Sequence, residues 1–322
     1  MAEISRVLHR PVMLEEAIEA LRVSPSGRYL DATLGSGGHA EAILRRLDEK
    51  GFLVGVDCDP EAVERSAARL RGFRAGVRIL HGNFSMLRRL AAEAGISEFD
   101  GILFDLGVST EQLAAAERGF SFQREGPLDM RMDLSTSLTA ADLVNGLEET
   151  ELERIIREFG EERFARRIAR AIAYRRRFAP IRTTMELARV VSSALGPARS
   201  RIHPATRTFQ ALRIAVNREL ENIEEALEAA LSLLRVGGRV AVISFHSLED
   251  RIVKRTLARH AGRWESLAGG GRRLVFDHPR IALVARKPLR PSDEEVRINP
   301  LCRSAKLRAA QRIDEGGCDV QA

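Results

Sequence analysis

A doubly wound α/β sheet interrupted by an all-helical insertion is the fold this chain predicts, and three observations carry that expectation. From Tyr29 to Phe104, short apolar runs alternate with amphipathic helical stretches. The same alternation resumes at Arg239 and continues to Ala285. Between them, from about Leu113 to Asn217, there are helical segments such as Leu152 to Phe159 and Arg163 to Arg177 but no convincing strand run. Strands alternating with helices build parallel βαβ units, so a helix-only stretch in their midst reads as an insertion. The expected division is residues 1–112 with 217–322 as one discontinuous α/β domain, and 113–216 as the helical insertion.

In chain order, His9-Arg10-Pro11-Val12 precedes a helix carrying Leu14, Ala17, Ile18 and Leu21. Ser24-Pro25-Ser26-Gly27 turns it into a first strand, Tyr29-Leu30-Asp31. The glycine turn Gly35-Ser36-Gly37-Gly38-His39 follows, then a helix with Ala42, Ile43, Leu44 and Leu47, then a second strand from Phe52 to Val56 closed by Asp57. Glycines allow a sharp turn with no Cβ in the way and leave amide N–H groups at a helix N-terminus facing a ligand. An acid about twenty residues beyond such a turn can accept hydrogen bonds from a ribose diol, so Asp57 points to an adenosine cofactor. Gly35-Ser36-Gly37-Gly38-His39-Ala40 also satisfies the loose dinucleotide fingerprint, and spacing alone leaves a nicotinamide dinucleotide open. Asp31 tilts the balance. An acid at the tip of the first strand repels a pyrophosphate but suits an ammonium group, such as the methionine end of S-adenosylmethionine; the bland alternative is an Asp that caps the turn.

Asp59-Pro60 opens the next helix, with Ala62, Val63, Ala67 and Leu70 on its apolar side. A third strand, Val77 to Leu80, runs into His81-Gly82-Asn83-Phe84 at the ligand-binding edge of such sheets, where Phe84 could pack on an adenine; alone, it is as compatible with the core. The fourth strand, Phe99 to Phe104, runs into Asp105-Leu106-Gly107-Val108-Ser109. Amino-methylating enzymes often carry an acid or Asn followed by two prolines here, and Leu106-Gly107 departs from that pattern. In the insertion, Arg118 to Phe122 and Gly126 to Asp133 form a long loop that reads either as a lid or as an ordered cap on the helices. A helix from Asn217 to Leu234, stopped by Gly237-Gly238, leads to a fifth strand, Arg239 to Ser244, ending at Phe245-His246-Ser247. Leu248-Glu249-Asp250 begins another helix, and Ile281 to Ala285 is a late strand after Gly269-Gly270-Gly271.

Composition bounds the class. With 44% hydrophobic and 30% charged residues in 322, the chain reads as a soluble globular protein of more than one unit. No run reaches the roughly eighteen apolar residues of a membrane helix, and the N-terminus lacks a signal peptide's apolar core. The three cysteines, Cys58, Cys302 and Cys318, are widely spaced and unpaired in pattern, which suits a reducing cytoplasm. Neither they nor the seven histidines show ligand spacing, so no metal is expected.

The net charge of +6 is unevenly spread. From Arg163 to Arg213 there are thirteen arginines, no lysine and a single acid, Glu186, a local balance of +12 that leaves −6 for the rest. A solvated helix face normally alternates signs, and this one does not. A basic block on an otherwise acidic protein points to a polyanion, and arginine alone suits bidentate phosphate contacts and stacking on bases. Arg163, Arg166, Arg167 and Arg170 have helical spacing, and with Arg207 they are the candidate RNA contacts. An insertion leaving the sheet at its C-terminal edge is expected to lean over the ligand and hold the substrate.

Seven motifs, in order along nearly the whole chain, carry a resemblance: Asp31 to His39, Asp105 to Ser109, Arg118 to Phe122, Gly126 to Asp133, Gly160 to Ala165, His203 to Arg213 and Ser244 to Arg251. Together they resemble the bacterial ribosomal small subunit RNA methyltransferase H family, whose members methylate N4 of a cytosine in the decoding centre of 16S ribosomal RNA. The tail from Asn299 to Lys306 also fits, although an Arg is common where Leu301 or Cys302 stands, and Ala114 replaces a frequent Asp. The resemblance implies a class I S-adenosylmethionine-dependent methyltransferase, Rossmann-like, with the cofactor contacted by Gly37, Gly38, His39, Asp57, Phe84, Asp105 and Gln112. The implied partner is the small subunit or its 16S RNA, with monomer and homodimer both open.

Cytosine N4 is a poor nucleophile because its lone pair is delocalised into the ring. An acceptor gripping an N4 hydrogen would localise that pair, and Asp105, the Leu106 carbonyl and Ser109 are the candidates, with His246 as base contact or proton acceptor; for His246 a structural role at the strand end weighs at least as much. The target base must be unstacked, which would give Phe120 or Phe122 a use as stacking platforms. Two readings from other classes compete: an NAD-dependent dehydrogenase, and a non-enzymatic ribosome-assembly factor that uses the arginine block alone.

Overall fold

The computed structural model describes residues 11–196, 203–266 and 271–314. His9, Arg10, Gly269, Gly270 and Cys318 lie outside the described residues. The chain divides into two units, Met1–Gly107 with Leu220–Ala322, and Val108–Glu219. The second unit begins a few residues before the expected boundary because Val108 and Leu113 already pack against its core. At the other end, Asn217 and the Arg213–Glu219 ion pair hold the chain in that unit through Glu219.

The first unit is a seven-stranded sheet built from β1 (Arg28–Asp31), β2 (Phe52–Asp57), β3 (Gly76–His81), β4 (Phe99–Asp105), β5 (Leu234–Ser244), β8 (Ile281–Leu283) and β9 (Lys306–Arg312). The remaining strands, β6 (Arg263–Ser266) and β7 (Arg272–Val275), make a separate antiparallel pair. Sheet order is β3-β2-β1-β4-β5-β9-β8; the first five run parallel, and β9 is antiparallel to both neighbours. The order reverses between β1 and β4, which opens a ligand crevice beyond their carboxyl ends. Period-two alternation sends Leu30, Ile102, Phe104, Val240 and Val242 to one face of the sheet and Tyr29, Leu103, Ala241 and Ile243 to the other. Helices Leu87–Glu93, Glu219–Leu233 and Ser247–Ala261 cover the first face, and Leu14–Leu21 and Gly38–Leu44 the second. Burial on both faces explains why the parallel strands are near-continuous apolar runs.

The helix expected from Asn217 to Leu234 is found at Glu219–Leu233, and Arg218, at a left-handed φ of 50°, separates it from the preceding helix Thr206–Asn217. Two differences from the sequence expectation have physical reasons. Gly237-Gly238 lies inside β5, where the register with β4 shifts between Phe99 and Gly101; the helix has already ended at Leu233. Strand β9 escapes the sequence pattern because Lys306 and Arg308 interrupt it; both are paired with Asp250 on the helix Ser247–Ala261, at 2.8 and 2.7 Å.

The second unit is helical: Thr110–Ala114, Ala140–Gly146, Glu149–Glu158, Ala165–Arg176, Thr184–Leu195 and Thr206–Asn217. Its own core holds Leu152, Ile156, Ile168, Ile172, Leu187, Val191 and Leu212. The long loop of the sequence is an ordered cap. Arg118, 4% exposed, donates to the carbonyls of Arg131 and Met132 at 3.1 and 3.0 Å, and Asn217 binds Met130 and Met132. Leu128 and Met130 are buried in the core beneath it.

Candidate active site

The chemistry of the first unit gathers at the switch point. Asp31 ends β1, Asp57 ends β2 and Asp105 ends β4, all at the same edge. The glycine turn leaves β1 there, with Gly35 and Gly37 at φ 52° and 80°, values that L side chains rarely adopt. Gly37 caps the helix Gly38–Leu44, and Gly38 sits so close to Pro11 that an added Cβ would lie 2.3 Å from the ring. Gly55 is equally constrained, since a Cβ on β2 would meet both Leu34 methyls at 2.8 Å.

Asp57 fastens the turn. Its Oδ2 accepts from the Gly35 N–H at 2.7 Å and its Oδ1 from the Asp59 N–H at 2.9 Å. Burial raises its pKa, and these two backbone donors oppose the rise. Asp31 is 1% exposed, and its Oδ1 accepts from the Thr33 N–H at 3.2 Å. Its Oδ2 is buried and finds no hydrogen-bond partner among the described residues. Burial pushes the Asp31 carboxyl up to about 6, with His39 working in the opposite direction. The His39 imidazole, itself buried, lies 3.4 Å from Asp105 Oδ2 through Nε2. Burial works against its charged form, yet the Asp105 and Asp31 carboxylates outweigh it, and the net effect is a raised pKa. Asp105 Oδ1 is likewise buried and lacks a partner among the described residues. Thr33 braces this group by accepting the Asp105 N–H at 2.6 Å. Phe84, half-buried beyond β3, meets Phe104 edge-to-face at 6.1 Å.

A buried acid–imidazole–acid cluster with unsatisfied acceptors is costly unless a ligand supplies donors or positive charge. The family model described as the MraW methylase family matches residues 6–313. The chain belongs to the MraW methylase family. Relatives named ribosomal RNA small subunit methyltransferase H include one from Dehalococcoides mccartyi, 51% identical, covering 96% of this chain and 88% of that protein. Another, from Geobacter sulfurreducens, is 51% identical and covers 95% of this chain and 99% of its own. A third, from Syntrophotalea carbinolica, is 50% identical over 95% of this chain. This member of the family is an enzyme, a methyltransferase dependent on S-adenosylmethionine, built on the class I Rossmann-like sheet. Its residues fit that cofactor. Two carboxylate oxygens lacking donors suit a cation, the glycine turn opens the helix Gly38–Leu44 beside them, and Asp57 keeps lone pairs for a diol.

Of the residues singled out in the sequence, Gly37, Gly38, His39, Asp57, Phe84 and Asp105 gather on the first unit's sheet edge or the loops beside it. Ser109 and Gln112 belong to the second unit, where they form a reciprocal capping box: the Ser109 hydroxyl accepts the Gln112 N–H, and the Gln112 side-chain Oε1 accepts the Ser109 N–H, each at 3.1 Å. His246 holds a structural place at the strand end: it caps the helix Ser247–Ala261, its Nδ1 accepting the Glu249 N–H, while its Nε2 lies 3.0 Å from Glu249 Oε1. Glu249 itself is fully buried and accepts the Phe245 and His246 N–H groups, a role that sequence reading missed although the spacing of a capping box signals it.

Phe120 requires a correction as a stacking platform, since at 6% exposure its ring is part of the insertion's core. Phe122 is stacked on His203 at 4.5 Å and edge-on to Phe209. Of the arginines, Arg166, Arg167 and Arg170 project outward from the helix Ala165–Arg176. Arg163 precedes that helix with its guanidinium over the Phe164 ring at 4.5 Å, and Arg207 donates to the Glu161 carbonyl at 3.1 Å.

Proposed function

We infer that this enzyme methylates the exocyclic N4 of a cytosine in the decoding region of 16S ribosomal RNA, on the small subunit, in the cytoplasm. The observation that carries the reading is the buried Asp31–His39–Asp105 cluster at the switch point, in a chain half identical to enzymes named for methylating small-subunit ribosomal RNA. Bound there, S-adenosylmethionine supplies an electrophilic methyl on a sulfonium sulfur. Asp31 holds the ammonium end of the methionine part, the Gly37, Gly38 and His39 segment lies along the same part, Asp57 takes the ribose hydroxyls and Phe84 packs on the adenine. Asp105, through its unsatisfied Oδ1, or the Leu106 carbonyl, grips an N4 hydrogen and returns the lone pair to nitrogen, with Ser109 close behind in sequence. Proton loss follows methyl transfer, with Asp105, His246 or solvent taking the proton. The arginines of the insertion neutralise phosphates of the RNA.

A dehydrogenase would place a pyrophosphate beside the buried Asp31, which Coulomb repulsion disfavours. An assembly factor without chemistry would leave that cluster without a purpose. The test is transfer of labelled methyl to small subunits lacking the modification, with the nucleotide then mapped. Label at a cytosine N4 is expected; label elsewhere, or none despite cofactor binding in calorimetry, overturns the reading.

A further inference from the structure

Phe120 is buried in the insertion's core, and Phe122, half-buried, already has its ring stacked on His203 and edge-on to Phe209, so rings with open faces are found elsewhere on the insertion. Among the described residues, the two most exposed aromatic rings belong to Tyr174 and Phe178, at 62% and 71%. They meet edge-to-face at 5.2 Å with 69° between planes, so each ring keeps at least one face that its partner does not cover. Tyr174 lies in the last turn of the helix Ala165–Arg176, and Phe178 follows in the turn that closes it, where its N–H donates to the Arg175 carbonyl. Arg166, Arg170, Tyr174 and Phe178 follow each other at intervals of four residues, the spacing that stacks side chains along one helix face.

The segment that carries these rings is basic, although Glu149 and Glu186 face it from neighbouring helices. Eight arginines and no acid occur from Arg163 to Arg182. Some are structural: Arg175 donates to the Ala179 carbonyl and Arg176 to that of Val144. Arg170 reaches Glu149 only at 3.9 Å, and the side chains of Arg166, Arg167 and Arg177 make no ion pair or hydrogen bond among the described residues. Exposing two large rings forfeits the free energy their burial would bring, so an exposed aromatic pair calls for an occupant. A second copy of this surface would bring arginine against arginine. A polyanion with apolar faces, single-stranded RNA, matches both the charge and the rings.

We propose that Tyr174 and Phe178 form a base-stacking platform for an unpaired stretch of the RNA substrate, with Arg166, Arg167, Arg170 and Arg177 on its phosphates. The proposal rests on the RNA-methylating reading and adds to it the residues that hold unpaired bases. Stacking tolerates any base, so the platform contributes affinity and positioning, while selection of the cytosine lies with the residues around Asp105.

The test compares the full-length enzyme with Tyr174→Ala/Phe178→Ala, with Tyr174→Trp/Phe178→Trp, and with Arg166→Gln/Arg167→Gln/Arg170→Gln. Each is assayed for methyl transfer to unmodified small subunits and for binding a fluorescein-labelled oligouridine. The alanine pair is expected to raise KM for subunits roughly tenfold or more with kcat retained, to weaken oligouridine binding similarly, and to leave S-adenosylmethionine affinity unchanged; the tryptophan pair restores binding. Wild-type KM and oligouridine affinity in the alanine pair, with affinity lost in the arginine variant, would overturn the platform but keep the basic surface. Dissociation of a dimer by the alanine pair in sedimentation would overturn it in favour of a contact between copies. If the wild-type enzyme labels no subunit, the methylation reading itself has failed.

Discussion

The sheet edge and the arginine helix treat charge in opposite ways. At the carboxyl ends of β1, β2 and β4, Asp31, His39, Asp57 and Asp105 are buried or nearly so, and burial or mutual contact moves the pKa of the first three upward. On the helix Ala165–Arg176 of the insertion, Arg166, Arg167 and Arg170 stand in solvent. A buried charge contributes through one placed partner and loses its function when that geometry fails. Exposed charges contribute as a sum, each screened by salt. A small cofactor needs the first arrangement and a long polyanion the second.

The harshest way to separate the two regions is to unfold one. An added Cβ at Gly126 would lie 1.8 Å from the Ala116 carbonyl oxygen, which is backbone and cannot rotate away. Gly126→Ala is expected to destabilise the insertion by about 4 kcal/mol or more. Hydrogen exchange should then quicken in Val108–Glu219 and much less in β1, β2 and β4. Equal acceleration in both regions would show that they are one cooperative unit.

Next in size is Asp31→Asn, which replaces the charge held ready for a cation. S-adenosylmethionine affinity measured by calorimetry at pH 8 should fall about 30-fold or more, in the range for truncating a buried charge pair. The same variant has a pH signature without cofactor. A carboxyl whose folded pKa is raised, from 3.8 to about 6, binds its proton more tightly in the folded state. Stability therefore falls as pH rises from about 4 to about 6, and the penalty is complete above that, of order 3 kcal/mol. Asn carries no such penalty, so the cofactor-free variant should match the parent near pH 4 and exceed it in Tm at pH 8. A variant less stable at pH 8 would show that Asp31 is not the strained group. Wild-type cofactor affinity should also decline below pH 6 as Asp31 takes up its proton.

Charge removal on the insertion should act more gently and additively. Each Arg166→Gln, Arg167→Gln or Arg170→Gln substitution is expected to weaken RNA binding a fewfold and to lower the salt slope by about one. A loss confined to one RNA sequence would break the comparison, since phosphate contacts carry no sequence information. The smallest effect belongs to Arg154, exposed and paired with Glu151 and Glu158 at 2.6 Å each. Arg154→Ala should change stability by less than about 1 kcal/mol in thermal melts and leave RNA affinity unaltered.

What was legible in the sequence is what local pattern encodes. Apolar runs ending in Asp31, Asp57 and Asp105 mark strands buried on both faces, because such a strand needs no polar side until it leaves the sheet. The glycine turn and the arginine block are local too, and the motifs from Asp31 to Arg251 together point to the chemistry. Tertiary structure alone decided which candidates are buried and which stand exposed. Phe120 and Tyr174 are both aromatics of the same insertion, yet one fills its core and the other stands in solvent, a distinction set by where neighbouring helices pack. His246 and Glu249 became each other's partners only when a helix began between them. Strand β9 buries Leu307, Ala309 and Ala310 in the sheet, while Asp250, 56 residues before Lys306, pairs with the two cations that hide its pattern. Periodicity reports which face of an element is apolar; whether a given side chain ends up against protein, ligand or water depends on packing from distant parts of the chain.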